Sequence, residues 1–389
     1  LDALIKRAGV ARVDSLEHLP PSLKVLPAIG PLNGARVGAM STPGGDLSLL
    51  RDTRLGLGLS MPELSEAGID RIRPTVHERI VLANPLDYQM FDWNNEDRLV
   101  ETFSAFLAED FDISLCLLDY PRADKCDPSS WWGAERAFVR AAKQNGVNAG
   151  ILATFSDTMP EPLAEQLVED GIVPLAGATA GLAGIQAAVD VGAFQALPAC
   201  QPLLPRREPD SSLVTRVCDE AESKASLARY GVPVPESRVV SDIGEAVSAA
   251  RAIGYPVVVK ALGIAHKTEV GGVMLNLETG DAVAEAAGQM LKLGPRCLVE
   301  RMVDGAIMEL IVGVTRDEQF GPHLVVGGGG IFVELLKDST PLLLPVSREQ
   351  VRGALESLRC APLFHGYRGN PRCDLDAAVD VVMSVAAYV

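Results

Sequence analysis

Apolar and polar positions follow two rhythms along this chain, and the change between them divides it. From about residue 35 to residue 197, short apolar runs, RVGAMS (36–41), ISLCLLD (113–119), AGILATF (149–155) and IVPLA (172–176), are separated by stretches with helical spacing. Runs this short predict buried strands, and strands alternating with helices predict a parallel sheet covered by helices. The segment ALPACQPLLPRREPDSS (196–212) is rich in proline and charge and has no period, which predicts a linker. From Leu213 the order becomes a helix (CDEAESKASLARYG, closed by Gly231), a strand (SRVV), a helix (DIGEAVSAARAIG), a valine strand and then longer strands. This second unit is predicted to be α+β, with EQVRGALESL and DLDAAVDVVMSVAAY as helices packed on its sheet. The predicted division is a connecting segment over 1–33, a parallel-sheet α/β domain over 34–197, a linker over 198–212 and an α+β domain over 213–389.

A chain of 389 residues can bury a core in each of two or three domains without disulfides or metals. Its 35 basic and 51 acidic side chains leave a net charge of −16 with no long basic run, which argues against a nucleic-acid partner. The seven cysteines are scattered, without CxxC spacing, which predicts reduced thiols in a cytoplasmic protein and no zinc site. No apolar run reaches the ~20 residues a bilayer requires, and LDALIKRAGVARVD lacks the order of a signal peptide, so no membrane partner is expected. Without an initiator methionine, and with VVMSVAAYV ending inside a helical pattern, the chain reads as a piece of a longer polypeptide.

Candidate chemistry concentrates in YPVVVKALGIAHKTEVGGV (255–273), where one lysine, Lys260, closes an apolar β-branched strand. A lysine there must find a partner or reach solvent, and a nucleotide phosphate is one such partner. His266 and Lys267 follow, with Gly271 and Gly272 behind them. An imidazole can attack phosphorus, an ammonium can hold phosphate oxygens, and glycines let backbone approach a ligand. The residues alone leave a solvated loop histidine open as the alternative. Glu300, Glu309 and Asp317 fall at strand ends in CLVERMVDGAIMELIVGVTRD (297–317), placed either to accept from a nucleoside or to cap sheet edges. The glycine cluster of FGPHLVVGGGGIFVELLKD (320–338), with Glu334 and Asp338 beyond it, suits magnesium or phosphate, or else a bulged hairpin. In STPGGDLSLL (41–50), Gly44 and Gly45 open a helix whose N–H groups suit an anion, although spacing alone favours a tight turn capped by Thr42 or Asp46. NPLD (84–87) suits a ligand loop, but Asn-Pro and Asp-flanked turns are common for conformational reasons alone, and the turn is the favoured reading.

Taken together, DEAESKASLARYGVPVPESRVV, IGYPVVVKALGIAHKTEVGGVMLNL, LVERMVDGAIMELIVGVTRDEQFGPHLVVGGGGIFVELLKD and GYRGNPRCD resemble the ATP-grasp domain of NDP-forming acyl-CoA synthetases. That superfamily includes ADP-forming acetyl-CoA synthetase and succinyl-CoA synthetase. AGVARVDSLEHL, ARVGAMSTPGGDLSLL, LGLSMPELSE and ANPLDYQ are similar to the flavodoxin-like ligase domain that precedes the ATP-grasp unit in fused members. The resemblance implies that ATP phosphorylates an enzyme histidine, that the phosphoryl group passes to a carboxylate, and that CoA displaces phosphate to give acyl-CoA. It implies ATP/ADP, Mg²⁺ and CoA as the small molecules. By the same resemblance Lys260 and Lys267 hold ATP phosphates, Glu300 and Glu309 lie along the nucleoside, His266 takes the phosphoryl group, Gly271 and Gly272 close its loop, Glu334 serves as a metal ligand, and Gly44 and Gly45 steady a phosphohistidine.

In fused members a CoA-binding domain and a domain with the principal phosphohistidine come before the point where this chain begins, and a Glu/Asp-x-Asn-Pro strand with Mg²⁺ ligands comes after the point where it ends. The expected partners are therefore a carboxylate, CoA and CoA-binding domains of the same polypeptide or a partner subunit, with a homodimer as the expected assembly. Asp46 departs from an anion site, since its carboxylate competes for the same N–H groups. Two other readings stay open at this point, an ATP-grasp ligase that does not use CoA and a nucleotide-binding regulatory module.

Overall fold

The computed structural model describes residues 1–197, 202–204, 216–264, 270–330 and 336–389. His266, Lys267, Glu334 and most of the predicted linker lie outside the described residues. The chain separates into two compact units, Leu1–Cys200 and Gln201–Val389.

The first unit carries five strands, β1 (Val37–Ser41), β2 (Leu86–Asp87), β3 (Ile113–Leu117), β4 (Ala149–Ala153) and β5 (Val173–Ala176). Their order is β2-β1-β3-β4-β5 and every pairing is parallel. This is the flavodoxin-like order, whose switch point lies between β1 and β3. The helices are α1 (Asp2–Arg7), α2 (Leu19–Ile29), α3 (Gly44–Thr53), α4 (Glu66–Ile72), α5 (Glu96–Leu107), α6 (Ser129–Asn145), α7 (Glu161–Glu169) and α8 (Ala178–Gln195).

Because a strand's side chains alternate between its faces, each strand feeds two cores. Val37, Ala39, Ile113, Leu115 and Leu175 pack with Val25 of α2, Leu50 of α3 and Leu182 of α8. Met40, Cys116 and Ile151 pack with Phe103 and Phe106 of α5 and Phe138 of α6. All three phenylalanines are fully buried, and each contributes roughly 1.5–3 kcal/mol by leaving water. On α8, glycine permits close approach: a Cβ on Gly192 would sit 1.9 Å from the Leu32 carbonyl oxygen. Asn84, expected only as part of a turn, is buried and staples β1 to the loop before it. Its amide donates to the carbonyls of Val37 and Pro62, and its oxygen accepts from Ala39 N–H at 3.0 Å.

The second unit holds two antiparallel sheets. β6 (Ser237–Val240), β7 (Val257–Ala261), β8 (Val273–Leu277) and β9 (Cys297–Arg301) order as β6-β9-β7-β8, and β10 (Leu310–Asp317), β11 (Gly321–Gly328) and β12 (Ser339–Leu343) order as β10-β11-β12. The helices are α9 (Glu220–Ala228), α10 (Ile243–Ile253), α11 (Gly280–Leu293), α12 (Arg348–Glu356) and α13 (Leu375–Tyr388). α10 and α11 cover one face of the first sheet through Ala250, Ile253, Val283 and Met290 against Val257, Val259 and Val299. α12 and α13 cover the second through Leu355 and Val382 against Leu324 and Val326.

α9 buries no residue completely, and it begins with a capping box between Asp219 and Glu222. It is followed by Tyr230, whose ring meets Tyr388 edge-on at 5.3 Å. Among the described residues no helix is long and apolar enough to cross a membrane, and Cys116, Cys126, Cys218, Cys297, Cys360 and Cys373 are free thiols.

Candidate nucleotide site

In β7 the alternation that buries Val257, Val259 and Ala261 against α10 and α11 puts Val258 and Lys260 on the opposite face. β9 pairs with β7 so that Val258 faces Glu300 and Lys260 faces Leu298. Lys260 and Glu300 are therefore diagonal neighbours on one face, a spacing that long side chains span. The Lys260 ammonium donates to Glu300 Oε1 at 2.9 Å and to Glu220 Oε1 at 2.7 Å. Glu220 opens α9, and one turn later Lys224 reaches the same two carboxylates, donating to Glu220 Oε1 at 2.8 Å and to Glu300 Oε2. Among the described residues two ammonium groups and two carboxylates thus interlock, and the Glu300 side chain at the base is only 6% exposed. Burial alone would lower the Lys260 pKa, but the hydrogen bonds and charges of Glu220 and Glu300 outweigh it and hold the ammonium above its ordinary value.

Sequence reasoning found Lys260 and Glu300 and missed Glu220 and Lys224. The only local signal is their i,i+4 spacing in DEAESKA, which also describes a solvated helix face. Behind this cluster, Gly272 accepts from the Ala261 N–H at 2.9 Å, and Gly271 takes the left-handed φ of +69° with no atom near its missing Cβ.

Glu309 falls elsewhere. It stands just before β10 and lines a cavity of about 580 Å³ with Met308, Gly329, Asp338, Arg359 and Cys360. Its carbonyl accepts from the Gly329 N–H at 2.7 Å, and a Cβ on Gly329 would crowd Glu309 at 3.0 Å. Asp338 caps the other wall by accepting from the N–H groups of Arg359 at 2.9 Å and Cys360 at 3.1 Å. Asp317 is a turn cap, accepting from Gln319 and Phe320 N–H groups between β10 and β11, and those bonds lower its pKa. Among the described residues no group of three or more His, Cys, Asp or Glu is arranged to hold a metal ion.

In the first unit Gly44 and Gly45 do open α3, but the cap is neither Thr42 nor Asp46: Pro43 occupies the N-cap, and no side chain caps the helix. Pro43 has no N–H of its own, and its carbonyl accepts from Asp46. Carboxylates crowd this mouth of the sheet. Asp87 Oδ2 lies 3.1 Å from the position of a Gly44 Cβ. Burial and then the charge of Asp119 raise the Asp46 pKa. Asp119 itself is pinned by Thr154 N–H at 2.9 Å and by the Thr158 hydroxyl.

Residues 213–389 match the ATP-grasp domain family, so the second unit belongs to a nucleotide-binding class of folds. Over 176 residues the chain is 35% identical to the beta subunit of acetate–CoA ligase [ADP-forming] I from Pyrococcus furiosus, covering 43% of this chain and 76% of that subunit. It is 26% identical to a trans-feruloyl-CoA synthase from an unknown prokaryotic organism over 98% of this chain and 55% of that protein. A solved structure, the dinucleotide forming acetyl-coenzyme A synthetase 1 of Ca. Korarchaeum cryptofilum, is 32% identical over 44% of this chain and 79% of its own, with a TM-score of 0.42. The chain belongs to the NDP-forming acyl-CoA synthetase superfamily, whose ADP-forming members include these acetate–CoA ligases.

Proposed function

We propose that this chain is the nucleotide-binding portion of an acid–thiol ligase that joins a carboxylate to CoA, with ATP converted to ADP and phosphate. The observation that carries this reading is the Lys260–Glu300 pair on the face of the ATP-grasp sheet turned away from α10 and α11, with the lysine held charged by its carboxylate partners. An ammonium has three donors and Lys260 uses two among the described residues, which leaves a third N–H for a phosphate oxygen.

Lys260 and Lys267 are proposed to hold the phosphates, with Glu300 and Glu309 accepting from the nucleoside. A neutral His266 imidazole nitrogen attacks the γ-phosphorus, the bond to the β-bridging oxygen breaks with release of ADP, and the ring proton leaves to solvent. Gly271 and Gly272 give this loop its backbone freedom. From phosphohistidine the phosphoryl group passes to the carboxylate, and the CoA thiolate then displaces phosphate from the acyl phosphate. Gly44 and Gly45 are proposed to steady a phosphohistidine through the free N–H groups of α3. Mg²⁺, when bound, spreads the charge of the β- and γ-phosphates, and Glu334 is the proposed ligand. CoA-binding domains, of the same polypeptide or a partner subunit, are proposed to complete the reaction.

The test is incubation of the chain with ATP and Mg²⁺ followed by intact-mass and acid-lability analysis. An acid-labile phosphoryl group at His266, absent in His266→Ala, is the expected result. ATP binding with no phosphorylation would favour a regulatory module. In the complete enzyme, a carboxylate panel with CoA should give ADP, and AMP with pyrophosphate would overturn the phosphohistidine route.

A further inference from the structure

We infer that the first unit carries a small-molecule site of its own, between the loop after β3 and the starts of α6 and α7, which takes an organic ammonium ion with an apolar body through the Glu135 carboxylate. This goes beyond the nucleotide reading and does not depend on it. The cavity there has a volume of about 660 Å³, inside the range of roughly 300–1,000 Å³ usual for small-molecule sites.

Three charged residues line it, Glu135, Arg136 and Asp170, and two of them are already matched. Arg136 donates to Glu96 at 2.9 Å, and Asp170 accepts from Lys143 at 2.6 Å. Glu135 is left over. Among the described residues it makes no ion pair, and its carboxylate accepts from the Tyr120 hydroxyl at 3.1 Å. Tyr120 is itself held in place, 3% exposed and with its N–H donating to the Thr158 carbonyl at 3.0 Å. Burial raises the Glu135 pKa, and neither the Tyr120 hydrogen bond nor the charge of Arg136 offsets it. A carboxylate drawn partly out of water without a counter-ion carries a cost that a bound cation removes.

The walls select against an anion. Helix starts attract anions through their free N–H groups, and α6 and α7 both begin beside this cavity. At α6, however, Asp127 already accepts from the Ser129 N–H at 2.9 Å. At α7 the first residue is Glu161, and Pro162 behind it has no N–H to offer. Prolines at 121, 128 and 160 likewise add apolar rings without donors. Trp132, 46% exposed and so open to a ligand arriving from solvent, adds an indole whose π face attracts an ammonium group.

The test is calorimetric titration of the full chain with three probes that share one ring, benzylammonium, benzyl alcohol and benzoate. Benzylammonium is expected to bind saturably with a Kd of about 1 mM or below, and the neutral and anionic probes at least about tenfold more weakly. Glu135→Gln keeps an acceptor for the Tyr120 hydroxyl and should lose about tenfold in benzylammonium affinity, equivalent to about 1.4 kcal/mol. Trp132→Ala should weaken the same probe by at least about threefold, on the order of 0.65 kcal/mol.

No saturable binding of benzylammonium, or benzyl alcohol or benzoate bound as tightly, would overturn the inference. Undiminished affinity in either variant would overturn it as well, since the cation would then sit elsewhere. If Glu135→Gln does not fold, the ratio of benzylammonium to benzyl alcohol affinity in the unaltered chain decides.

Discussion

The two units each gather charged side chains beside a sheet, and an anion would meet different surroundings at the two. At the mouth of the parallel sheet Asp46, Asp87 and Asp119 gather near a helix start, and among the described residues none of the three is in an ion pair. On the antiparallel sheet two carboxylates are matched by two lysines within hydrogen-bond reach. For Gly44 and Gly45 to steady a phosphohistidine, the N–H groups of α3 have to outweigh these carboxylates, since the partial charge of a helix end, about half a unit, is smaller than one nearby carboxylate. Lysines that balance carboxylates on one register are what the second cluster has and what this helix start lacks among the described residues.

The largest expected effect would break that balance from below. Glu300→Ala leaves Lys224 and Lys260 sharing the Glu220 carboxylate over an apolar base, and should cost about 3–5 kcal/mol of stability in urea unfolding, as expected for a buried pair that loses one partner. A loss below about 1 kcal/mol would mean that the cluster is solvated and weakly coupled. Next, Lys260→Met should weaken ATP at least hundredfold, about 2.7 kcal/mol, in a direct titration, while leaving the thermal unfolding of the first unit unchanged.

Smaller effects sharpen the other side of the comparison. Because burial and Asp119 raise the Asp46 pKa, the folded state holds that proton more tightly than the unfolded chain. Its contribution is fully present below the ordinary value of 3.8 and is lost as pH rises through the raised folded value. Asp46→Asn should thus gain stability relative to the unaltered chain as pH rises from that range, by less than about 1 kcal/mol because the group is largely solvated. A difference independent of pH between 3 and 7 on the unfolding curves, roughly the span in which a carboxyl titrates, would discard this account. Asp317→Ala, which removes only a turn cap between β10 and β11, should cost about 1 kcal/mol and leave ATP binding untouched.

The strands of both units were legible because their apolar runs are short and continuous, and because Lys260 interrupts one of them. Glu300 was legible for the same reason. Glu220 and Lys224 were not, since nothing on α9 distinguishes them from solvated charges until the fold brings them to partners up to 76 residues away. The three-carboxylate mouth was half legible: Asp46 stands beside the glycines in sequence, whereas Asp119 reaches them only through the placement of β3 next to β1. Asn84 illustrates a further gap, for the rule that favours asparagine in turns does not foresee three tertiary hydrogen bonds from one side chain.

The Glu309–Gly329 contact has a consequence for how the cavity in the second unit can diversify. Where main chain meets main chain at hydrogen-bond distance, and even one added carbon would lie at 3.0 Å, substitution has almost no room to act. Substitutions that alter what that cavity can admit are therefore expected to act at its side-chain walls, Met308, Arg359 and Leu363, leaving the backbone beneath undisturbed.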